Sequence, residues 1–196
     1  LKRFTVKSSS EFAVRPFLLR SPEKMMQQME EWAKDSNEHV RRLASEGCRP
    51  RLPWGQALSI FKCNPAPVLR VLELLKADPS LYVRKSVANN LNDIAKDHPA
   101  VVIDIARRWK GMHVYTDWIV RQGCRTLIRK ADPQVMALFG YAEMSGAAPI
   151  TTYASLVVEP SIVRMGESCK LKYELCIQDG EALHIRMEYG IDFVKS

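Results

Sequence analysis

The chain has 196 residues, of which 46% are apolar and 26% charged, and its formal net charge is +7. These values suit a globular protein of one or two domains whose core needs no disulfide framework or structural metal. No apolar run reaches the roughly 18 residues that a membrane-spanning helix needs, and residues 1–10 do not have the pattern of a signal peptide. Because residue 1 is leucine, we expect the chain to be a piece of a longer protein.

The charge is unevenly distributed along the chain. Residues 1–145 contain 24 Lys and Arg against 15 Asp and Glu, whereas residues 146–196 contain 5 against 7. A basic first part predicts that this part binds a polyanion. A basic surface that merely keeps the protein soluble explains the charge equally well.

Cysteine and histidine spacing argues against a metal site or a disulfide framework. The cysteines are odd in number and have no C-x-x-C spacing, which predicts reduced thiols in a cytoplasmic protein. The histidines are scattered, and no phosphate-binding loop occurs, so we expect neither a metal nor a cofactor. These residues are Cys48, Cys63, Cys124, Cys169, Cys176, His39, His98, His113 and His184.

Capping residues and prolines divide most of residues 1–145 into helices. The predicted helices cover 11–19, 22–34, 37–46, 67–77, 80–96, 99–109, 116–129 and 133–139, with a short apolar segment at 56–61. Within this series, the stretch 36–55 ends a helix at Gly47 and continues as a loop that two prolines stiffen. That loop carries two arginines and one tryptophan, which predicts the edge of a functional surface: Arg49, Arg51 and Trp54.

A Val-Arg pair recurs near the start of alternate helices. The pairs lie 26, 43 and 37 residues apart, and they are Val14-Arg15, Val40-Arg41, Val83-Arg84 and Val120-Arg121. Helix pairs repeating about every 40 residues indicate a HEAT-like solenoid, although an ordinary helical bundle remains an alternative. In a solenoid these arginines share one surface, where a polyanion could bind. Pairing with carboxylates inside the solenoid is the competing interpretation, and we favour it for at least one of them.

The pattern changes after the linker at 146–149. Residues 169–178 alternate between apolar and polar, Asp179-Gly180 is a hairpin signal, and 183–189 continue the alternation. Two earlier strands are predicted at 153–159 and 162–165. Four strands are fewer than the roughly seven of a sandwich, so we expect the β part to be incomplete.

Two runs carry a resemblance to a known family: NEHVRRLASEGCRPRLPWG, at 37–55, and YVRKSVANNLNDIAKDHP, at 82–99. They resemble the AlkC branch of the bacterial alkylpurine DNA glycosylases of the HEAT-like repeat family, and the resemblance covers about 11–132. It implies a mainly α fold, with a HEAT-like solenoid at 1–145 and part of an immunoglobulin-like β-sandwich at 146–196. It also implies a monomer that excises cationic N-alkylated purines, such as 3-methyladenine, from double-stranded DNA without flipping the base and without a metal.

By this resemblance, Asp93, Glu46 and Glu11 are the catalytic carboxylates, and Trp54 contacts the deoxyribose at the lesion. Each assignment has a local alternative. Glu46 can belong to a surface ladder of ion pairs with Arg42, Asp93 to an ordinary polar helix face, and Trp54 to a loop anchor.

The predicted DNA-binding residues are basic and lie near the proposed site or within the Val-Arg pairs. They are Arg49, Arg51, Lys85, Arg41 and Arg84. Two other functions stay open from the sequence: a DNA-binding relative that has lost catalysis, and a HEAT-repeat scaffold for protein partners.

Overall fold

The computed structural model of the chain describes residues 1–141 and 151–177, together with residues 184, 187 and 190. The chain divides into two compact units, Leu1–Phe139 and Gly140–Ser196. The predicted linker at 146–149 and the Asp179-Gly180 hairpin lie outside the described residues. So does most of the predicted strand at 183–189.

The first unit is built from helices joined by turns and loops. Its helices are α1 (Lys2–Thr5), α2 (Arg15–Arg20), α3 (Pro22–Trp32), α4 (Glu38–Gly47), α5 (Ser59–Cys63), α6 (Ala66–Leu75), α7 (Leu81–Ile94), α8 (Pro99–Trp109), α9 (Val114–Gly123), α10 (Arg125–Arg129) and α11 (Pro133–Leu138). Among these helices, none combines the length and the apolar content that crossing a bilayer requires.

The helices form stacked pairs. Helices α3, α6 and α8 are the first members of three pairs, and α4, α7 and α9 are the second members. Each second helix packs against the next one along the stack. Their shared apolar face is buried, and it includes Leu43 of α4, Leu91 of α7 and Ile119 of α9. Full burial of each such side chain stabilises the folded state by about 1.5–3 kcal/mol. The predicted helical-repeat fold is therefore confirmed.

The close approach of α7 and α9 requires a residue without a side chain. A Cβ atom placed on Gly123 would lie 3.0 Å from the Cβ of Leu91, which is tighter than most packed pairs allow. The same region departs from the prediction of one helix over 116–129. The helix ends at Gly123, Cys124 caps it, and α10 begins at Arg125.

Arg41 joins neighbouring repeats. Its Nη1 donates to the carbonyl oxygens of Asp35 and Ser36, both at 2.9 Å, in the turn between the two helices of its own pair. Its Nε donates to Oδ2 of Asp78 in the next repeat, at 2.6 Å. Arg41 therefore pairs with a carboxylate inside the solenoid, as favoured for at least one of the recurring arginines.

Arg84 repeats half of this arrangement one repeat later. Its Nη1 donates to the carbonyl oxygens of Asp78, at 2.9 Å, and Pro79, at 2.8 Å. The contact with the following repeat is different, because its guanidinium lies 4.0 Å from the centroid of the Tyr115 ring. A cation–π contact thus takes the place of the ion pair.

Two further boundaries differ from the sequence predictions. The helix predicted at 11–19 begins only at Arg15, and turns precede it. Pro16 explains this start, because proline is best accommodated in the first turn of a helix. The strand predicted at 162–165 is not a strand. Pro160, two residues before this segment, has no N–H for a ladder, and Gly166, directly after it, turns the chain at φ 90°.

The described strands of the second unit form one antiparallel pair. Strand β1 (Thr151–Glu159) pairs with β2 (Lys170–Ile177), with Tyr153 opposite Cys176 and Glu159 opposite Lys170. A bulge shifts the register between Thr151 and Tyr153. The pair is a small antiparallel sheet, and the immunoglobulin-like sandwich is not confirmed.

The five thiols should differ sharply in reactivity. Burial raises the pKa of both Cys48 and Cys124 to about 12, whereas Cys63, Cys169 and Cys176 are exposed. Because the thiolate is the reactive form, we expect three thiols to react with a disulfide reagent near pH 8 in the native protein, and five after denaturation. Mass spectrometry of the labelled peptides identifies the sites, and fast native labelling of Cys48 would contradict its burial.

Candidate active site

Glu46, in the last turn of α4, is buried, and both of its carboxylate oxygens accept hydrogen bonds. Its Oε1 accepts a hydrogen bond from Arg49 Nη1 at 2.6 Å and lies 3.6 Å from Arg42 Nη2. Its Oε2 accepts from Ser86 Oγ, on the neighbouring helix α7, at 2.6 Å. Both oxygens of this carboxylate therefore have a close donor.

Asp93 occupies the last turn of α7 and is 3% exposed. Its Oδ2 accepts a hydrogen bond from Arg49 Nε at 2.8 Å. Its Oδ1 has a longer contact, 3.4 Å, with the Nζ of Lys96, a half-exposed side chain. The two carboxylates predicted from the sequence thus meet at one guanidinium, although they belong to different helix pairs.

The guanidinium of Arg49 is buried between these two acids. Burial lowers its pKa, but the charge of Glu46 and the hydrogen bond with Asp93 outweigh burial, so the pKa lies above its ordinary value. Arg49 is therefore a fixed positive charge. Its buried side chain faces carboxylates, and a phosphate contact, as predicted from the sequence, would compete with both of them.

Glu11 extends the arrangement on the other side of Glu46. Its Oε2 lies 3.1 Å from Arg42 Nη1, and Arg42 in turn approaches Glu46. Five side chains therefore alternate in sign through contacts between neighbours, and we call them the charge chain: Glu11, Arg42, Glu46, Arg49 and Asp93. The three predicted catalytic carboxylates are all members of it.

Trp54 lies apart from the charge chain at the tip of the loop after α4. Its side chain is 99% exposed, and its backbone has φ 64°, the left-handed region that residues with a Cβ rarely adopt. The neighbouring Gly55 N–H donates to the carbonyl of Leu52 at 3.1 Å, which closes the turn. The loop thus presents the aromatic ring to solvent.

The predicted DNA-binding residues differ in how available they are. Arg41 and Arg84 are occupied by contacts between repeats. Arg51 is partly exposed and makes two hydrogen bonds to Asp97, at 3.1 and 2.6 Å. Lys85, on α7, is exposed. Arg51 and Lys85 are therefore the more accessible of these cations.

Sequence reasoning missed Arg125 in the first turn of α10. It is exposed, and its Nη2 donates to Oδ1 of Asn89 on α7 at 3.1 Å. Burial of the guanidinium lowers its pKa, Asp93 raises it, and the like charge of Arg49 lowers it further. The contact with Asn89 places Arg125 against α7, the helix that carries Asp93. Because the sequence predicted one helix over 116–129, it carried no signal that singled out Arg125.

Candidate metal ligands do not cluster in the part of the chain that the structure describes. No group of three or more His, Cys, Asp or Glu side chains among those residues could hold a metal ion. Each acidic residue of the charge chain instead contacts an arginine.

The stacked helix pairs define a helical-repeat protein. Its charged cluster lies between two of the second helices, α4 and α7. A family model described as DNA alkylation repair enzyme matches residues 4–127, and the chain belongs to that family. The uncharacterized protein YhaZ of Bacillus subtilis (strain 168) is 50% identical over 196 residues, which is 100% of this chain and 53% of that protein.

The solved structures that are similar to the chain include two relatives, AlkC and AlkD2. The Pseudomonas fluorescens alkylpurine DNA glycosylase AlkC, bound to DNA containing an abasic site analog, is 43% identical with a TM-score of 0.70, and the match covers 89% of this chain and 47% of that one. AlkD2 from Streptococcus mutans is 33% identical with a TM-score of 0.52, over 62% of this chain and 57% of that one. The chain thus spans about half the length of the relatives it matches.

Replacing Arg49 with methionine should strongly destabilise the first unit, because it leaves Glu46 and Asp93 buried without their shared counter-charge. We expect a loss of about 3–5 kcal/mol in the free energy of unfolding, measured by urea denaturation. The matched control is Arg51→Met in the same loop, which removes an accessible ion pair and should lose at most about 1 kcal/mol. Equal losses in the two variants would contradict the structural role of Arg49.

Proposed function

We propose that this chain carries the catalytic site of a DNA glycosylase that hydrolyses the N-glycosidic bond of cationic N-alkylated purines. The observation that carries the proposal is the charge chain, which brings three carboxylates from separate segments together beside exposed cations. Membership of the DNA alkylation repair enzyme family supports it. The similarity to AlkC, whose structure contains DNA with an abasic site analog, supports it further.

The chemistry suits carboxylates without a strong general acid. A purine alkylated at N3 or N7 already carries a positive charge. When the bond between its N9 and C1′ breaks, the electron pair moves to N9 and the base leaves neutral. The sugar becomes oxocarbenium-like, and water then adds to C1′ and loses a proton. Fixed negative charge beside the sugar lowers the barrier by stabilising that cation.

The contacts favour different roles for the two central carboxylates. Each oxygen of Glu46 has a donor at 2.6 Å. We therefore assign Glu46 the role of positioning Arg49 and of adding negative charge near the site. Asp93 Oδ1 has only the 3.4 Å contact with Lys96, whose flexible side chain can move aside. Asp93 is therefore our choice for the carboxylate that faces the sugar and orients the water, with Glu11 as a further acidic neighbour.

The exposed ring of Trp54 suits a contact with the deoxyribose at the lesion. The electron-rich face of an indole attracts a cation by up to about 2 kcal/mol when water is excluded. A ring exposed at the tip of this loop can reach the sugar from outside the duplex. We therefore propose that the lesion reacts within the duplex, without being flipped into a base pocket.

For the phosphates we propose a revised set of contacts. Arg51, Lys85 and Arg125 are accessible and lie on the loop after α4, on α7 and on α10. Arg41, Arg49 and Arg84 already bind groups within the protein. We therefore assign them a structural role and leave them out of the set of phosphate contacts.

The second unit fits a part of an immunoglobulin-like domain. We base this on its antiparallel pair β1–β2 and on the alternating sequence of β2. Under this proposal the domain boundary lies near 145–146, and the protein acts as a monomer in the cytoplasm.

Base release tests the reaction. Asp93→Asn removes the negative charge beside the sugar but keeps the shape, so we expect the single-turnover release of 3-methyladenine from methylated DNA to fall by about 100-fold or more. Glu46→Gln should also lower the rate, through loss of the field around Arg49. Asp97→Asn, which removes an acid one turn further on, is the matched control and should stay within about threefold. An unchanged rate in Asp93→Asn, or no release by the unaltered protein, would refute the proposal.

Salt dependence tests the DNA contacts. Each lysine or arginine that neutralises a phosphate adds about one unit to the slope of log K against log salt concentration. We expect Lys85→Ala and Arg125→Ala each to lower that slope by about one, measured by fluorescence anisotropy with a labelled duplex. Arg107→Ala, on α8, is the control and should leave the slope unchanged. Binding that does not depend on salt would favour a protein scaffold instead.

A further inference from the structure

The segment that carries Arg49 has little internal support. We call residues 48–56 the arginine loop; it lies between α4 and α5 and contains Arg49, Arg51 and Trp54. Its backbone hydrogen bonds include Gly55 N to Leu52 O and Leu58 N to Pro50 O, both at 3.1 Å. Such sparse bonding does not by itself fix a loop in one conformation, so its position must depend on contacts from elsewhere.

Arg15, the first residue of α2, supplies these contacts. It is 2% exposed. Its Nη1 donates to the carbonyl oxygens of Gly47, at 3.2 Å, and Arg49, at 3.1 Å. Its Nε and Nη2 both donate to the carbonyl oxygen of Gln56, with the Nε contact at 2.6 Å. One side chain thus bonds to the backbone at the beginning, within and at the end of the arginine loop.

Gly47 lets Val14, directly before α2, approach the backbone at the start of the loop, and Arg15 is in van der Waals reach of Gly55 near its end. A Cβ atom on Gly47 would lie 2.6 Å from Val14 Cγ2, which is closer than packed atoms can come. A Cβ atom on Gly55 would lie 3.4 Å from both Cδ and Nε of Arg15. The Val-Arg pair of this repeat therefore packs directly on the backbone of the loop.

The contacts of Arg15 are unusual for a buried arginine. Within residues 1–141 and 151–177, no carboxylate oxygen lies within 4 Å of it, so carbonyl groups are its hydrogen-bond acceptors. Taking a guanidinium out of water to reach neutral carbonyls is unfavourable, and burial lowers the pKa of Arg15. A guanidinium presents several donors in a fixed planar geometry, so one arginine can bind three backbone carbonyls of this segment at once. Lysine cannot provide that geometry.

We propose that Arg15 is a positioning residue for the reaction, acting through the arginine loop. It holds the backbone of Arg49 so that the guanidinium reaches both Glu46 and Asp93. The effect passes from the Arg15 fork to the Arg49 carbonyl, and from the Arg49 side chain to the two carboxylates. This inference rests on the proposed glycosylase function.

The test compares three variants with the unaltered protein. Arg15→Met keeps the bulk but removes every donor, Arg15→Lys keeps the charge without the fork, and Arg20→Met removes an exposed arginine from the same helix. We expect the single-turnover rate of 3-methyladenine release to fall at least tenfold in Arg15→Met, by an intermediate factor in Arg15→Lys, and less than twofold in Arg20→Met. The dissociation constant for DNA should change less than threefold in all three.

Hydrogen exchange separates positioning from general destabilisation. In Arg15→Met the amides of Gly55 and Leu58 should exchange at least tenfold faster, while those of α6 and α8 stay unchanged. Faster exchange throughout the unit, or an unaffected rate of base release, would overturn the inference. If the unaltered protein releases no base, the proposed function fails, and the exchange experiment still decides whether Arg15 holds the loop.

Discussion

A single buried guanidinium, that of Arg49, connects the two helices on which the candidate site depends. It bonds to Glu46 of α4 at 2.6 Å and to Asp93 of α7 at 2.8 Å. Two like charges cannot stay close in a low-dielectric interior without a counter-charge between them. The local consequence is a small acidic group, with three carboxylates against two arginines, inside a chain whose net charge is +7. The basic surroundings suit a polyanion, and the acidic centre suits a developing positive charge.

Much of the fold could be predicted from the sequence, because long helices carry strong local signals. The helix predicted at 99–109 is α8, Pro99–Trp109, with proline at its start. The failures occur where tertiary contacts decide the outcome. The break at Cys124 lies next to Gly123, which packs closely on Leu91, and nothing in the local sequence reveals that contact. The segment 162–165 has the composition of a strand, but among the described residues only β1 and β2 pair.

The candidate site was predictable in its residue types but not in its connections. Spacing along one helix correctly suggested that Arg42 approaches Glu46. In contrast, the bond between Arg49 and Asp93 joins different repeats and depends on how closely α4 and α7 pack. The same limit applies to Arg15, for which carboxylate pairing was the competing interpretation. It bonds to backbone carbonyls, and a carbonyl leaves no trace in the residue sequence.

The left-handed backbone of Trp54 has a consequence for how this loop can evolve. Glycine adopts that conformation freely, whereas residues with a Cβ are held there at an energetic penalty of the order of 1 kcal/mol or more. A tryptophan that is 99% exposed buries too little surface to offset this strain within the chain. The loop is thus locally frustrated, and selection for folding alone would replace the indole. An exposed indole on a strained backbone is therefore suited to a contact made outside the isolated chain.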